Sequence, residues 1–470
     1  MRPSVVIFSI PALLAMSAAA HADVVISSGM TANMSCSGGV CSPTAKNAVL
    51  NVTDLQNLLA SGNVKVTTTG SGVQAGDIKI GAPFTWSNAS GLALDAYQSI
   101  TINKAVSVTG TGGLALTTND GGSGGALSFG PKGDAIFQNS ASPLTINGVT
   151  YTLVNSVQSL AGAIAANPSG AFALANNYDA TPDGTYSEAP IQTDFRGSFE
   201  GLGNAITNLS INGSGNLGLF IGDDGPIENL SLLKINIALQ QGVAGGVAAA
   251  ASGTMTRVRA TGTIRGPGSQ LKSIGGLVGF FGVLVDCSSD VRITADGTSY
   301  LGGLVSQSGS ITRSFAIGSV TATSAGSIVG GIISENSSKI QDSYSTGAVS
   351  ARKQSEIGGF VGANDNGGEV GSIATSYSIG AVSQGEHVKM GGFAGRTIAA
   401  RHAKIQQSYW DTTTSGTSKA TGKGGANGIT GLTTDQLQSA LPKGFDPKVW
   451  AENPKINDGF PYLIDNPPQN

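Results

Sequence analysis

A short phrase that recurs at nearly constant spacing constrains the fold of this chain more than any other feature. IGGLVGF, LGGLVSQ, VGGIISE and IGGFVGA begin at Ile274, Leu301, Val329 and Ile357, spacings of 27, 28 and 28 residues. Between them run matching second phrases: ITRSFAIGSVTA from Ile311, IQDSYSTGAVSA from Ile340 and IATSYSIGAVSQ from Ile373. Weaker copies, AGGVAAA at Ala244, LGLFIGD at Leu217, MGGFAGR at Met390 and IQQSYWD at Ile405, bring the count to seven units. A fixed period of this length marks a repeat architecture.

Within each unit apolar and small polar residues alternate and then break at Gly, Ser or Asn, which is strand patterning and not the 3.6-residue period of a helix. A unit of two or three short strands cannot bury its own face. Stacked units can, because each coil hydrogen-bonds to the next about 4.8 Å away and like side chains pile into ladders. The expected fold is all-β, a right-handed parallel β-helix with small helical caps at both ends, a rod of roughly a dozen coils at this strand spacing. Phe315, Tyr344, Tyr377 and Tyr409 occupy one equivalent position and predict an aromatic ladder. Ser314, Ser343, Ser376 and Ser408 precede them and predict a hydroxyl ladder, in which Cys287 takes the same place as a small buried filler. Gly318, Gly347 and Gly380 read as corners that need positive φ or close backbone approach.

These phrases resemble the GLUG motif of large bacterial surface proteins of the filamentous-haemagglutinin and adhesin kind; GGLVG at Gly275 and SYSTGAVS at Ser343 are close matches. The resemblance spans Leu217 to Asp411 and implies surface exposure. The same motif accompanies immunoglobulin A peptidases, whose chemistry resides in a separate domain. Upstream, LALDAYQSITINKAVSVTGTGGLALTT from Leu92, LTINGVTYTLVNS from Leu144 and FRGSFEGLGNAITNLSI from Phe195 resemble passenger regions of haemagglutinin-like exoproteins. The pattern departs from that family in lacking an NPNL pair near the mature N-terminus, NPSGA at Asn167 being the nearest phrase, and in lacking a translocator. An outer-membrane secretion partner is what the resemblance implies.

Residues 1–22 read as a secretory signal, with Arg2, an apolar run from Val5 to Ala20, and Ala20-His21-Ala22 before Asp23. Secreted or cell-surface localisation, by way of the periplasm of a Gram-negative-type bacterium, is therefore expected, and no later run is long and apolar enough to cross a membrane. The remaining divisions are an N-terminal cap (23–62), irregular β-helix coils (63–149), a helix and loop insertion (150–204), the repeat β-helix (205–411), and a linker with a C-terminal cap (412–470). Cys36 and Cys41 lie in CSGGVC, and export favours a disulfide between them; a metal site would need further Cys or His nearby. A helix is expected over Thr53–Ala60, ending at Gly62, and with the disulfide it suits a cap covering the first coil's open edges. A second, Val157–Ala166, should pack on the solenoid's flank. A third, after Thr434 or Asp435, should open a cap over the last coil, with Trp450, Phe460, Tyr462 and Leu463 as its apolar cluster.

Net charge is -3 and charged residues make up 12% of the chain, so no basic field exists to attract nucleic acid. Chemical motifs fail on context. GGSGG around Ser123 lacks the strand-to-helix turn of a nucleophile elbow, and GSGNLG at Gly213 reads as a turn with no helix after it to receive a pyrophosphate. Beyond the signal only His387 and His402 remain, and no cofactor or metal is expected. The acid clusters Asp223-Asp224, Asp286 with Asp290, and Asn364-Asp365-Asn366 with Glu369 are where a β-helix lyase would hold Ca²⁺. Asp342 is expected to pair with Arg313 one coil away. No catalytic constellation emerges. The chain reads as an adhesin-like, non-enzymatic protein that displays loops to a host or matrix protein or a glycan; the alternative is a β-helix polysaccharide lyase or hydrolase. The longest stretch without strand pattern, Asn177 to Asp194, is the expected binding loop, with Asn177, Tyr178, Asp179 and Tyr186 as its contact residues.

Overall fold

The structure is a computed structural model that describes residues 22–365, 371–385, 388–398 and 404–469. The signal segment up to His21, Asn366, Glu369, His387 and His402 lie outside them. The chain winds as a parallel β-solenoid of about 14 turns and is 7% helical. Alternation turns every second residue inward, and the period puts like on like. Ile311, Ile340, Ile373 and Ile405 pair in register on successive coils, as do Val320, Val349 and Val382. Phe360 and Phe393 stack inside at 4.8 Å between ring centres.

Buried apolar residues divide into two cores, one fed by residues 24–202 and one by residues 154–429. The wall between them is the strand Ala171–Leu174 with its neighbour Val149–Val154. Phe172, Leu174 and Val154 face the second core, whereas Ala173, Ala175 and Leu153 face the first. A strand covered on both faces must be apolar throughout, as AFALA is. Just before it the chain reverses: Asn147 and Gly148, both left-handed (φ 49° and 79°), turn Leu144–Ile146 into an antiparallel pair with the start of Val149–Val154.

The helix α1 (Val52–Ser61) is capped by the Asn51 side chain, which accepts from Thr53 N and Asp54 N, and it buries Leu55 and Leu59 in the first core. The segment expected as a cap already contributes to the solenoid, because Val24–Ser27 lies in parallel between Ala48–Asn51 and Ile78–Ile80 with Val24 and Ile26 inward. The helix α2 (Val157–Ala166) buries Val157, Leu160 and Ile164 in the second core, an i, i+3, i+7 apolar stripe facing inward.

The C-terminal segment departs from expectation. Trp410 stands in register with Ser378 and, with Ala420 and Ile429, fills the end of the core from within. Residues 433–469, opening with the short helix α3 (Thr434–Leu437), instead run back along the outside of the solenoid. Tyr409 Oη donates to Lys443 O (2.7 Å), Tyr377 Oη to Pro461 O (2.5 Å), and Asn466 Nδ2 to the carbonyls of Cys287 and Arg313. The cause is the aromatic ladder, which points outward. Phe315, Tyr344 and Tyr377 stack at 4.8 and 5.1 Å, and this stripe forms a third apolar cluster with Phe445, Trp450, Phe460 and Leu463 of the strap.

Candidate functional site

Each coil of the second core turns one corner on a residue with left-handed backbone: Asn229, Arg257, Asp286, Arg313, Asp342, Thr375 and Gln407, at φ from 45° to 55°. Non-glycine residues pay for that conformation with strain unless neighbours fix it. The fixing is done by side chains that bond from coil to coil. Arg257 Nε donates to Asn229 Oδ1 (2.8 Å), Arg313 holds Asp286 with two bonds (2.7 and 3.0 Å), and Thr375 Oγ1 donates to Asp342. The expected Asp342–Arg313 pair is therefore replaced by Asp286–Arg313, and Asp342 is taken by Thr375, Gln341 and the Trp450 indole. Gly318, Gly347 and Gly380 are not the left-handed positions. A Cβ on Gly347 would lie 2.1 Å from Gly318 O, so close approach is the reason for glycine there.

Beside this corner the hydroxyl ladder is a chain of hydrogen bonds. Ser314 Oγ accepts from Cys287 N (3.0 Å), Ser343 Oγ from Ser314 N (3.3 Å) and Ser376 Oγ from Ser343 N (3.2 Å). Each serine hydroxyl donates to the carbonyl two residues earlier. Burial pushes the Cys287 thiol up to about 12, which keeps it from forming the reactive thiolate.

The acids weighed for a lyase are engaged elsewhere. Asp286 is held by Arg313, with Asp290 exposed on the strand that follows. Asp365 pairs with Arg396, which also binds Glu356. Asp223 and Asp224 face opposite environments: Asp223 is buried and its carboxyl is pushed up to about 7 by desolvation, while the exposed Asp224 accepts from Ser252 Oγ (2.5 Å). Among the described residues no three His, Cys, Asp or Glu side chains are grouped to hold a metal. In GSGNLG, residues Gly213 to Leu217 are strand and not a turn, with a register shift between Gly213 and Gly215.

The expected binding loop is a coil of the solenoid. Tyr178 and Asp179 pair in parallel with Ile206 and Thr207, and Thr185 and Tyr186 with Ser210 and Ile211. Both tyrosine hydroxyls donate to the single carboxylate of Asp183, at 2.5 and 2.8 Å, and their rings pack on the second core. Burial, then the Asp183 contact, pushes the Tyr178 phenol up to about 12. Asn177 Oδ1 accepts from Ala205 N (2.8 Å), and bonds from Thr181 and then Asn208 hold Asp179 down at about 2. Strand pairing is hidden in this sequence because its strands are two residues long. Cys36 and Cys41 are disulfide-bonded and face each other across an antiparallel hairpin, Met34–Ser37 with Val40–Pro43, which adds to the edge strand Val64–Thr67.

Among the described residues one concave feature is an open trough of about 490 Å³ on the first core's outer wall. It crosses four coils. Lys65, Ala93, Ala115 and Thr145 stand in register along its floor, and Asn63, Gly91, Gly113 and Pro143 line it beside them. Lys65 is steadied by Asp95 at 2.6 Å. Sequence reasoning passed over it, although the paired phrases GLALD at Gly91 and GLALT at Gly113 place glycine and alanine at matching positions of adjacent coils.

No family model matches the chain. An 89-residue stretch, 18% of this chain, is 42% identical to Halomucin of Haloquadratum walsbyi and covers 1% of that protein's length. Among solved structures, a "putative immunoglobulin A1 protease" from Bacteroides ovatus aligns with a TM-score of 0.43 and 17% identity, over 67% of this chain and 93% of that one.

Proposed function

We propose that this chain is an exported, adhesin-like solenoid of the GLUG-repeat kind, which attaches to an extended polymer, a glycan of matrix or host surface, along its long axis. The trough carries the reading. It is open, runs across coils and not along a strand, and spans about 14 Å from Lys65 to Thr145 at the spacing of parallel strands. Small residues at Gly91, Ala93, Gly113 and Ala115 leave main chain within reach of a ligand, and Asn63, Lys65, Thr111 and Thr145 supply polar groups to its lining. Repetition supports multivalency: Thr321 and Ser350 present outward hydroxyls 3.0 Å apart on successive coils, and weak contacts of one type add along a rod. A Gram-negative outer-membrane secretion partner belongs to this reading through the exoprotein resemblance. A lyase reading has less behind it, since Asp286 and Asp365 each hold an arginine.

The test is binding of the purified chain to an array of matrix glycans and proteins. Ala93→Trp and Ala115→Trp fill the trough from outside the core and should weaken glycan binding at least tenfold with unchanged melting. Undiminished binding in both variants would remove the trough from the account. New unsaturated sugar ends released from any arrayed polysaccharide would replace display with catalysis.

A further inference from the structure

The joint between the two cores contains a carboxyl group in an unusual position. Glu200, on the strand Ser198–Glu200, is 2% exposed, and among the described residues no cation touches either of its oxygens. Oε1 accepts from Leu202 N (2.8 Å) and Oε2 from Asn229 Nδ2 (3.1 Å). Both partners also hold the joint. Leu202 O accepts from Ala135 N of the first core's last coil (3.0 Å). Asn229 Oδ1 accepts from Arg257, whose other nitrogen donates to Leu127 O of that coil (2.8 Å). Asn204 Nδ2 completes the contact by bridging Ala135 O and Leu174 O.

The titratable groups facing Glu200 are Glu228, in register on the next coil, Arg257, which spends its hydrogen bonds on Asn229 and Leu127, and Tyr151 of the neighbouring hairpin. A carboxylate in this place would be buried, beside a second carboxylate, and without a direct cation partner. Such a charge draws in water or swings toward it.

We propose that Glu200 is a proton-operated latch on the joint: as the neutral acid it keeps the two cores docked, and on ionisation it loosens the contacts made through Leu202 and Arg257. Desolvation first, and Glu228 second, push its folded value up to about 8 from the ordinary 4.5. A raised carboxyl value means that the closed joint holds a proton which the open joint releases. The stabilisation is therefore complete below about 4.5 and declines as pH rises toward 8.

Hydrogen exchange of the intact protein reads this directly, through the amides of Ala135 and Phe137, which donate across the joint to Leu202 O and Ala175 O. After correction for intrinsic exchange, their opening constants should rise at least a hundredfold between pH 5.5 and 8.5, the limit being tenfold per unit. Glu200→Gln should flatten that rise, and Glu228→Gln, which removes the like charge and keeps Glu200, should move its upper end to lower pH. Asp223 also titrates high, so Asp223→Asn is the control and should leave both amides on the wild-type curve. Opening constants independent of pH in the wild type, an unaltered rise in Glu200→Gln, or a rise abolished by Asp223→Asn would each overturn the proposal. Should Glu200→Gln fail to fold, an unshifted curve in Glu228→Gln does the same.

Discussion

Between Val64 and Ile146 successive coils repeat strand positions with different residues in them, whereas between Ile274 and Asp411 they repeat the residues themselves. Both halves build the same parallel solenoid. In the first, register is set by inward alternation alone, as where Leu92 and Leu94 stack on Val64 and Val66, and its outer wall is free to hollow into a trough. In the second, like residues stack outside as well as inside, and the outward rings commit that face to a strap. Sequence regularity thus marks where a wall is built to be covered, and irregularity where it is left open.

The comparison breaks most severely at the covered wall. Tyr344 is fully buried between Phe315 and Tyr377, so Tyr344→Ala should cost about 3–5 kcal/mol and free the strap, read as a lowered melting point and an exposed Trp450 indole. An unchanged melting point would mean that the ladder is not covered. A smaller effect belongs to the first half. Replacing Cys36 and Cys41 by Ser opens a hairpin that closes only a short loop, and should cost about 2 kcal/mol, confined to unfolding of the first core. Loss at the strap instead would show that the two cores do not melt as separate units.

The finest contrast lies within the ladder. Tyr344 Oη is buried with no partner among the described residues, while Tyr377 Oη donates to Pro461 O and accepts from Asn457. Tyr344→Phe should be neutral or stabilising, and Tyr377→Phe should cost about 1 kcal/mol. The reverse order in denaturant melts would place the strap elsewhere on the rod.

What could be read in the sequence follows from the same contrast. The period near 28 carried the fold, and it carried the serine and aromatic positions, because stacking like on like makes repetition and register the same fact. It did not say which way the rings point. SYS alternates small and large residues, and either set could face inward; only the volume of the interior, already filled by Ile340, Ile332 and Val349, sends Tyr344 out. That unresolved choice turned an expected end cap into a strap. The ends were illegible for a related reason. Trp410 stands where earlier units have Ser345 and Ser378, and a single large residue closing a core has no periodic signature. The coil from Asn177 to Asp194 read as a stretch without strands because its pairing rests on two-residue strands, too short to show alternation, while the trough went unseen because the glycines and alanines that line it carry no chemistry of their own.

Coil-on-coil register is the claim on which the ladders, the strap and the trough all depend, and cysteine pairs test it most directly. Thr321 and Ser350 face each other on adjacent coils, and Ser383 is the next in line. Parallel strands about 4.8 Å apart lie within the Cα range of a disulfide, and two coils' separation lies outside it. The account predicts that Thr321→Cys with Ser350→Cys oxidises readily to an intramolecular disulfide, while Thr321→Cys with Ser383→Cys does not. Failure of the adjacent pair to close, or equal closure of both pairs, would contradict the solenoid as described.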